Sequence, residues 1–563
     1  MMKKAIFLFV FVLITTNGFA INITLTTDNL LGVKKKIASS ILFVKPTGSG
    51  MQDGSSWENA SSDIQAMINI ASPNTQIWIA AGTYKPIRPA NNLGVIELNN
   101  RDNAFVMKDN VSLYGGFSGV ETSVDERDII ANPTVLSGDF NEDDVVAGIG
   151  KTLTISNSAE NAHHVIINRG TVTIDGLKIA GGAANGGFTI QIGNSSINSA
   201  YGGGIFNING TLTLSNVIFT ANTATDLGAG IYTINGTLIL NNCSVNQNLN
   251  IMKYGGGIYQ QSGNISMHNC EVMGNYSRNM SGGGIYFYVG TVSINNSNIS
   301  HNATNLTGGG IHNYLGTLNL LNSVISNNSA NSSGGGIVSQ QFVNTVTKIT
   351  NCTISKNISQ YVGGVVGNAQ FRNSIVWSNI SDYYETNGTN FQPTIMYHSI
   401  IEGLNIGGSG SGNIDGTNPS LLVFTDSQNN DFSLASGSSL IDAGSNTLYE
   451  NEGGNLILDK DIAANPRLVN VNIDLGAYEF GGEMSVPDIN KKEIIIYPNP
   501  VKDILSFSEE VSNIRITDIS GRTVKEIFTK GKLVNVANLA KGSYIITAVG
   551  KSGERINRKF IKE

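Results

Sequence analysis

The sequence predicts an all-β protein: a right-handed, single-stranded parallel β-helix followed by a small C-terminal β-sandwich. Three observations lead to this prediction. A glycine motif recurs at nearly constant intervals through the middle of the chain, each copy precedes a run in which apolar and polar residues alternate, and the composition changes after about residue 490. Internal repeats with a period of 20–50 residues are typical of solenoid proteins.

The repeat sets the size of one coil. The motif GGGI begins at Gly202 and recurs, once as GAGI, at intervals of 26 or 27 residues up to Gly334. Alternating runs such as TLTL at Thr211 follow each copy. Period-2 alternation indicates strands with one buried face. A period near 26, with three short strands and the turns between them, predicts one coil of a parallel β-helix.

Two asparagine positions recur in every copy. The first follows the alternating run, at Asn216, Asn242, Asn269, Asn296, Asn322, Asn351 and Asn373. The second lies six residues later, at Asn222, Asn248, Asn275, Asn302, Asn328, Asn357 and Asn379. Stacked coils repeat at about 4.8 Å, so equivalent residues lie directly above one another and their amides can form hydrogen-bonded ladders.

The three cysteines, Cys243, Cys270 and Cys352, occupy an inward position that other copies fill with serine. The pattern predicts small buried side chains there. A disulfide between Cys243 and Cys270, on adjacent coils, is the alternative.

Composition and charge exclude some function classes. Charged residues make up 14% of the 563 residues, Lys and Arg total 35 against 42 Asp and Glu, and the net charge is −7. Nucleic-acid binding needs clustered cations, and the body of the chain has none. Residues 279–347 contain no Asp, Glu, Lys or Arg. Glycoside hydrolysis usually requires two carboxylates, so we predict no catalytic residue in the regular coils and favour a protein that is not an enzyme.

Export and domain boundaries follow from the ends of the chain. Residues 1–20 have a charged start, an apolar run and a small-residue cleavage site, as a secretory signal peptide does. No later segment supplies the roughly 18 apolar residues of a membrane span. The predicted division is a signal peptide at 1–20, a linker at 21–40, an N-terminal cap with the first coils at 41–145, further coils with a C-terminal capping region at 146–480, a linker at 481–493 and a second domain at 494–563.

An aromatic residue follows the isoleucine of most repeats. These positions are Phe206, Tyr232, Tyr259, Tyr286 and His312. Because the isoleucine points inward, we expect these side chains to point outward and to form a strip about 20 Å long. Aromatic faces beside amides suit glycans, so the strip is a candidate ligand-binding site. The alternative is a ladder that only stabilises stacked strands.

Acidic residues cluster in the segment Asp139-Phe-Asn141-Glu-Asp143-Asp144. Oxygen ligands at alternate positions resemble the start of a calcium loop, which makes Asp139, Asn141 and Asp143 candidate ligands of a structural calcium ion. A solvated acidic loop is the alternative, and we expect no other cofactor. A second polar group, for which a cap-stabilising role is favoured over catalysis, comprises Asp459, Asp461, Arg467, Asp474 and Glu479.

Several motifs resemble those of known surface proteins. The pairing of GG[AG]I with Phe219-Thr-Ala-Asn222 resembles the repeats of chlamydial polymorphic outer-membrane proteins. Ser56-Trp57-Glu58-Asn59-Ala60 looks like the opening of bacterial surface β-helix proteins, and Asp442-Ala443-Gly444 with Asp474-Leu475-Gly476-Ala477-Tyr478-Glu479 resembles the choice-of-anchor Q region at their C-terminal end. The resemblance implies a pectin-lyase-like β-helix with covered ends.

The last 70 residues resemble a type IX secretion, type A sorting domain of Bacteroidetes proteins. The residues that carry the resemblance are Tyr497-Pro498-Asn499-Pro500, Gly521-Arg522, Gly542-Ser543-Tyr544 and Lys559-Phe560. The resemblance implies that residues 494–563 bind the type IX machinery. The protein would then be secreted or attached to the outer membrane at the cell surface.

These patterns together predict an exported, adhesin-like or glycan-contacting β-helix protein, with glycans or host or cell-surface proteins as partners. The first alternative is a polysaccharide lyase or glycoside hydrolase whose site lies in loops at the irregular ends. The second is a structural component of a surface layer.

Overall fold

The computed structural model describes residues 41–340, 342, 345–382, 395–405, 410–418, 421, 423–481, 496–518, 523–527, 529–550 and 555–563. The predicted signal peptide at 1–20, the linker at 21–40, nearly all of the linker at 481–493, and Gly521 lie outside these residues. The chain divides into two compact units, Met1–Gly482 and Glu483–Glu563.

Four parallel sheets run the length of the first unit. Sheet 1 consists of Ile41–Val44, Gln76–Ala80, Ser112–Phe117, Thr171–Asp175, Thr211–Ser215, Gly236–Asn241, Gly263–His268, Thr291–Asn295, Thr317–Leu321, Val346–Thr350, Ala369–Arg372 and Ile395–Tyr397. Sheet 2 consists of Gly82–Tyr84, Thr134–Ser137, Lys178–Ala180, Ile218–Thr220, Ser244–Asn246, Glu271–Met273, Asn298–Ser300, Val324–Ser326, Thr353–Ser355, Ile375–Trp377 and Ile400–Ile401.

The other two sheets have shorter strands. Sheet 3 consists of Ala183–Ala184, Thr223–Ala224, Leu249–Asn250, Tyr276–Ser277, Ala303–Thr304, Ser329–Ala330, Ile358–Ser359 and Ile380–Ser381. Sheet 4 consists of Phe105–Val106, Ile166–Asn168, Ile205–Ile208, Ile231–Ile234, Ile258–Gln260, Ile285–Phe287, Ile311–Asn313, Ile337–Ser339 and Val365–Gly367.

Equivalent strands of successive repeats pair in register, which confirms the parallel β-helix. Thr211 pairs with Thr237, for example, and Ile231 with Ile258. Each regular coil has four strands rather than the predicted three. The additional strand, such as Thr223–Ala224, has two residues, which is too short for alternation to reveal it.

Excursions from the coils form the remaining elements. Antiparallel hairpins join Val145–Ala147 to Thr154–Ser156, Thr189–Ile192 to Ser195–Asn198, and Phe424–Asp426 to Asp431–Leu434. The α-helices are Ile64–Ile70 and Asn446–Asn451, and the 3-10 helices are Trp57–Asn59, Val124–Glu126, Gly150–Thr152 and Ser427–Asn429.

Inward aliphatic side chains from every coil form one continuous core. Leu212, Leu238 and Leu318 on sheet 1 are fully buried in it. The three cysteines are buried and free, as the pattern predicts, and the Cys243–Cys270 disulfide is not formed. Burial raises the pKa of Cys352 to about 12, so this thiol stays protonated at neutral pH.

The second asparagine column is an unbroken ladder. The amide nitrogen of each member donates to the amide oxygen of the next across six consecutive coil steps, from Asn222 to Asn379, with distances of 2.9–3.0 Å. Each amide nitrogen also donates to a main-chain carbonyl, as Asn302 does to Val272 at 2.8 Å. All seven members are fully buried. Every amide is therefore satisfied inside the coil.

The first asparagine column also forms side-chain hydrogen bonds between adjacent coils, at five steps, and it has a second role in the turns. All seven members have φ between 48° and 53°, in the left-handed region that asparagine adopts more readily than most residues. They turn the chain between sheets 1 and 2. Asn322, Asn351 and Asn373 also donate to main-chain carbonyls of Lys460, Asp474 and Ser445, and so fasten the C-terminal capping region to the last coils.

The first end of the helix is covered by the short α-helix Ile64–Ile70, whose Ile64, Met67 and Ile68 join the core of the coils. Asp63 caps this α-helix by accepting from the Ala66 N–H. Trp57, Trp78 and Phe117 pack together in a cluster separate from this core. Covering the open edge prevents further strand pairing there.

The C-terminal unit is a small β domain. Its strands are Ile496–Tyr497, Ile504–Asp518, Thr523–Ile527, Gly531–Asn535, Gly542–Gly550 and Arg555–Lys562. They hydrogen-bond in one sheet around a core of its own that includes Phe507, Ile516 and Phe560.

We expect Asn328→Ala to lower the free energy of unfolding by about 2–4 kcal/mol, because the change leaves buried ladder donors without acceptors at about 1–3 kcal/mol each. Asn331→Ala, three residues away and exposed, should change it by less than about 0.5 kcal/mol. Urea denaturation followed by circular dichroism measures both. Equal effects of the two changes would contradict a stabilising ladder.

Candidate functional site

The predicted aromatic column lies on the outer side of sheet 4, where its rings stack along the helix axis. Ring centroids of Tyr232 and Tyr259 are 5.8 Å apart, those of Tyr259 and Tyr286 are 5.3 Å apart, and those of Tyr286 and His312 are 4.8 Å apart. Phe206 extends the stack at 4.8 Å from Tyr232. The sequence therefore places these side chains on the correct face.

The expectation that this strip is exposed is wrong, because Phe206, Tyr232, Tyr259, Tyr286 and His312 are each only 2–4% exposed. Ile190, Ile192 and Ile197 of an antiparallel hairpin share their hydrophobic cluster. Tyr201 and Tyr254, which precede the glycine motifs, pack against Tyr232 and Tyr286. The column is thus an outer hydrophobic layer of the coils.

The structure brings two of the three predicted calcium ligands together and adds a third carboxylate. Oxygens of Asp139, Asp143 and Glu160 all lie within 4.8 Å of one another. Asn141 contributes its backbone N–H, which donates to Asp139 Oδ1 at 3.1 Å. Burial and the neighbouring carboxylates raise the pKa of Asp144, beside this group, to about 6. Glu160 follows an intervening hairpin, and no local spacing marks it as a partner.

The second predicted polar group lies in the C-terminal cap. Arg467 is fully buried and donates to the Gly476 carbonyl at 2.9 Å, with Glu479 at 3.5 Å. Asp461 accepts the N–H groups of Asn465 and Glu479. These bonds bind the cap to itself, which fits the cap-stabilising interpretation.

The described members of the predicted sorting motif lie in the C-terminal unit. Asn499 joins the first residues of the domain to its last strand, because its amide donates to the Lys559 carbonyl and accepts from the Ile561 N–H. Tyr544 donates to the Ala540 carbonyl at 2.8 Å and stacks on Phe560. Gly542 pairs with Lys562. Half of the Tyr497 surface is exposed, beside Pro498 and Pro500.

A groove that the sequence analysis missed lies on the outer face of sheet 1. Its floor is formed by the strands Gly263–His268, Thr291–Asn295 and Thr317–Leu321, and one wall by the segment 446–460; we call it the lateral groove. It comprises a cavity of about 430 Å³ and an adjoining one of about 140 Å³, which share His268 and Asn295. Outward side chains of the floor are Ser266, His268, Ser293, Asn295, Asn319 and Leu321.

Charges are confined to the groove wall and one end. The Glu452 carboxylate lies 3.0 Å from Lys348 Nζ and 3.3 Å from Arg372 Nε. In the smaller cavity, Asp459 Oδ2 accepts from the Tyr449 hydroxyl and the Asn455 N–H, both at 2.7 Å. Both carboxylates are therefore already neutralised or hydrogen-bonded by neighbouring groups.

In each repeat, the residues of the groove floor occupy polar positions of an alternating run. The sequence of one repeat does not distinguish them from other solvent-facing strand residues. The wall comes from a segment more than 100 residues further along the chain, as the contact between Lys348 and Glu452 demonstrates. The one available signal was the absence of charge from residues 279–347, which coincides with the middle of the floor.

Comparison with known proteins bears on the C-terminal unit first. Residues 495–563 match the family model described as "Secretion system C-terminal sorting domain". The chain carries a sorting tail for export. This confirms the predicted class of the C-terminal domain and implies interaction with the type IX secretion machinery.

The comparison with solved structures gives a similarity in fold. The crystal structure of pectate lyase Pel9A is similar at 17% sequence identity and a TM-score of 0.46, over 78% of this chain and 96% of that chain. No curated protein matches the sequence. Among the described residues, no helix has both the length and the hydrophobicity needed to cross a membrane.

Acid should destabilise the fold through His312, whose pKa burial lowers to about 4. A histidine with a folded-state pKa below its unfolded value contributes stability that is complete above about pH 6.5 and is lost as the pH falls towards 4, by up to about 3 kcal/mol. We expect His312→Phe, which continues the ring stack, to weaken the fall in melting temperature between pH 7 and 4.5. His268→Phe, at an exposed position of sheet 1, serves as the control and should retain the original pH dependence.

Proposed function

We propose that the protein is an exported β-helix that binds an extended, largely uncharged glycan in the lateral groove without cleaving it. The observation that carries this proposal is the chemistry of the groove floor. Hydroxyl and amide side chains, Ser266, Ser293, Asn295 and Asn319, lie at intervals set by strand spacing, with apolar Leu321 among them. Glycan recognition uses such a combination of hydrogen-bonding groups and apolar surface.

The geometry of the charged residues favours binding over turnover. Hydrolysis of a glycosidic bond usually requires one carboxyl group to donate a proton and a second to act as base or nucleophile. Glu452 is held between Lys348 and Arg372, and Asp459 accepts two hydrogen bonds. Both carboxylates are thus engaged by neighbouring groups of the protein.

An enzymatic role is the alternative, with one observation in its favour. The irregular C-terminal region brings Glu452 to the edge of the groove beside Lys348 of sheet 1, and Glu452 also pairs with Arg372. A polysaccharide lyase or glycoside hydrolase would need ionisable groups beside a bound chain. In that case Glu452→Gln would abolish the release of shortened or unsaturated sugars.

The proposal includes the route to the cell surface. Residues 1–20 would direct passage through the inner membrane, and the sorting tail would direct passage through the outer membrane. The motifs around Asp442 and Asp474 hydrogen-bond to each other, and Asn351 of the coils donates to the Asp474 carbonyl. These motifs support membership of the choice-of-anchor Q group of Bacteroidetes surface proteins. Host or cell-surface glycans would then be the partners.

We expect Asn295→Ala combined with Asn319→Ala to weaken retention on an immobilised neutral polysaccharide by about tenfold or more, because each lost hydrogen bond contributes about 0.5–1.5 kcal/mol. The purified chain is screened against a polysaccharide panel, with reducing ends and unsaturated products measured in the same samples. Asn331→Ala, outside the groove, is the matched control. Equal retention of all variants would exclude the groove, and product release would establish the enzymatic alternative.

Deletion of residues 494–563 should leave the protein in the periplasm, because the sorting signal is lost while the N-terminal signal remains. Fractionation and immunoblotting measure its location, and the unmodified chain is the control. Normal surface display of the truncated chain would contradict the sorting role.

A further inference from the structure

An acidic cluster lies at the base of an excursion that we call the side arm, residues 145–156. The arm leaves the coil just after Asp143 and returns just before Glu160. Its two strands, Val145–Ala147 and Thr154–Ser156, form a hairpin. Asp139 follows the sheet 2 strand Thr134–Ser137 and belongs to the coil itself. The cluster therefore combines one residue from the coil, one from the entry to the side arm and one from its exit.

Three carboxylates converge in this cluster. Oxygens of Asp139, Asp143 and Glu160 lie within 4.8 Å of one another. Asp139 is held in place because Oδ1 accepts the N–H groups of Asn141 and Glu142 and Oδ2 accepts that of Asp144. A fixed central carboxylate with two others beside it is a ligand set suited to a divalent cation that prefers oxygen.

A separate observation at the same place is a buried amide oxygen that accepts no hydrogen bond. Asn161 is fully buried and follows Glu160 in the chain, and its Nδ2 donates to Oδ2 of Asp144, the neighbour of Asp143, at 2.8 Å. Its Oδ1 has no hydrogen-bond donor among the described residues, and the same holds for the buried oxygens Glu160 Oε1 and Asp144 Oδ1. Buried polar atoms are almost always satisfied by protein, water or an ion. Three unsatisfied acceptor oxygens in and beside the cluster leave room for a cation or ordered water as their partner.

The nearby cationic side chains are engaged elsewhere. Lys85 pairs with Glu142 at 2.8 Å and donates to the Phe140 carbonyl. Arg101 donates to the main-chain carbonyl of Asn161 and to the Asn185 side chain. Arg101 lies close enough to Glu160 for the two charges to attract, but neither side chain donates a hydrogen bond to the unsatisfied oxygens.

The side arm reaches over several coils along the outer face of sheet 3. Leu153 packs with Leu249, Tyr276 and Ala303, which belong to three successive coils. The Gly150 N–H donates to the Gly274 carbonyl, and the Gln247 amide donates to that of Gly148. A group that fixes the base of the side arm therefore also stabilises the contacts between the side arm and these three coils.

We propose that Asp139, Asp143 and Glu160, beside the buried amide of Asn161, bind a calcium ion that fastens the base of the side arm to the coil. The ion joins the coil to both ends of the hairpin. It removes the repulsion among the carboxylates and supplies the positive partner that the buried oxygens lack. The site is independent of glycan binding in the lateral groove.

The test uses the full chain after treatment with a chelator. Calcium titration by calorimetry should give one binding event, and saturating calcium should raise the melting temperature and slow cleavage of the side arm by a nonspecific protease at least tenfold. Asp143→Asn combined with Glu160→Gln should lose the binding event and both responses. Glu142→Gln, in the same loop but outside the converging carboxylates, should keep all three.

Three results would overturn the proposal. The first is the absence of both a binding event and a change of melting temperature in the unmodified chain at 10 mM calcium, about ten times the weakest Kd of extracellular calcium modules. The second is an unchanged calcium response in the double variant, with its folding verified by circular dichroism. The third is binding of magnesium but not calcium.

Discussion

The buried asparagine ladder is the interaction on which the rest of the first unit depends. A solenoid coil contacts only its neighbours, so a register error at one step would displace every side chain beyond it. Each ladder amide before the last, Asn379, donates to the asparagine of the next coil and to a main-chain carbonyl, as Asn302 does to Asn328 and Val272. An asparagine that makes all of these hydrogen bonds is compatible with only one register of strand pairing between coils. Once the register is fixed, the core positions require little more of the sequence than apolar side chains.

The ladder also explains why the coils contain so few charges. Turns and polar columns are built from amides and hydroxyls, and like charges stacked at strand spacing would repel one another. The uncharged floor of the lateral groove, with Ser293 and Asn319, follows from this use of amides and hydroxyls in place of charged groups. A surface so built is suited to hydrogen bonding with a neutral polymer.

Periodicity predicted the coil but not what covers it. The inward positions, both asparagine columns and the outward direction of Tyr232 and Tyr259 are all correct, because each depends on contacts between equivalent residues of adjacent coils. The burial of those tyrosines depends on the hairpin Thr189–Ile192 with Ser195–Asn198 and on Tyr201. The partnership of Glu160 with Asp139 likewise depends on chain closure around an excursion. A repeat pattern contains no information about such non-periodic contacts.

The non-periodic segments are for that reason where specific chemistry concentrates. Glu452 belongs to the segment that walls the groove, and Glu160 lies at the exit of the side arm. In stacked coils, a carboxylate that recurs at the same position of each repeat would be repelled by its equivalents. A residue of an excursion has no equivalent in the next coil and is free of this constraint. The coils therefore act as a neutral scaffold that positions a few charged segments. Comparisons between proteins of this architecture should accordingly weigh the excursions above the repeats when assigning function.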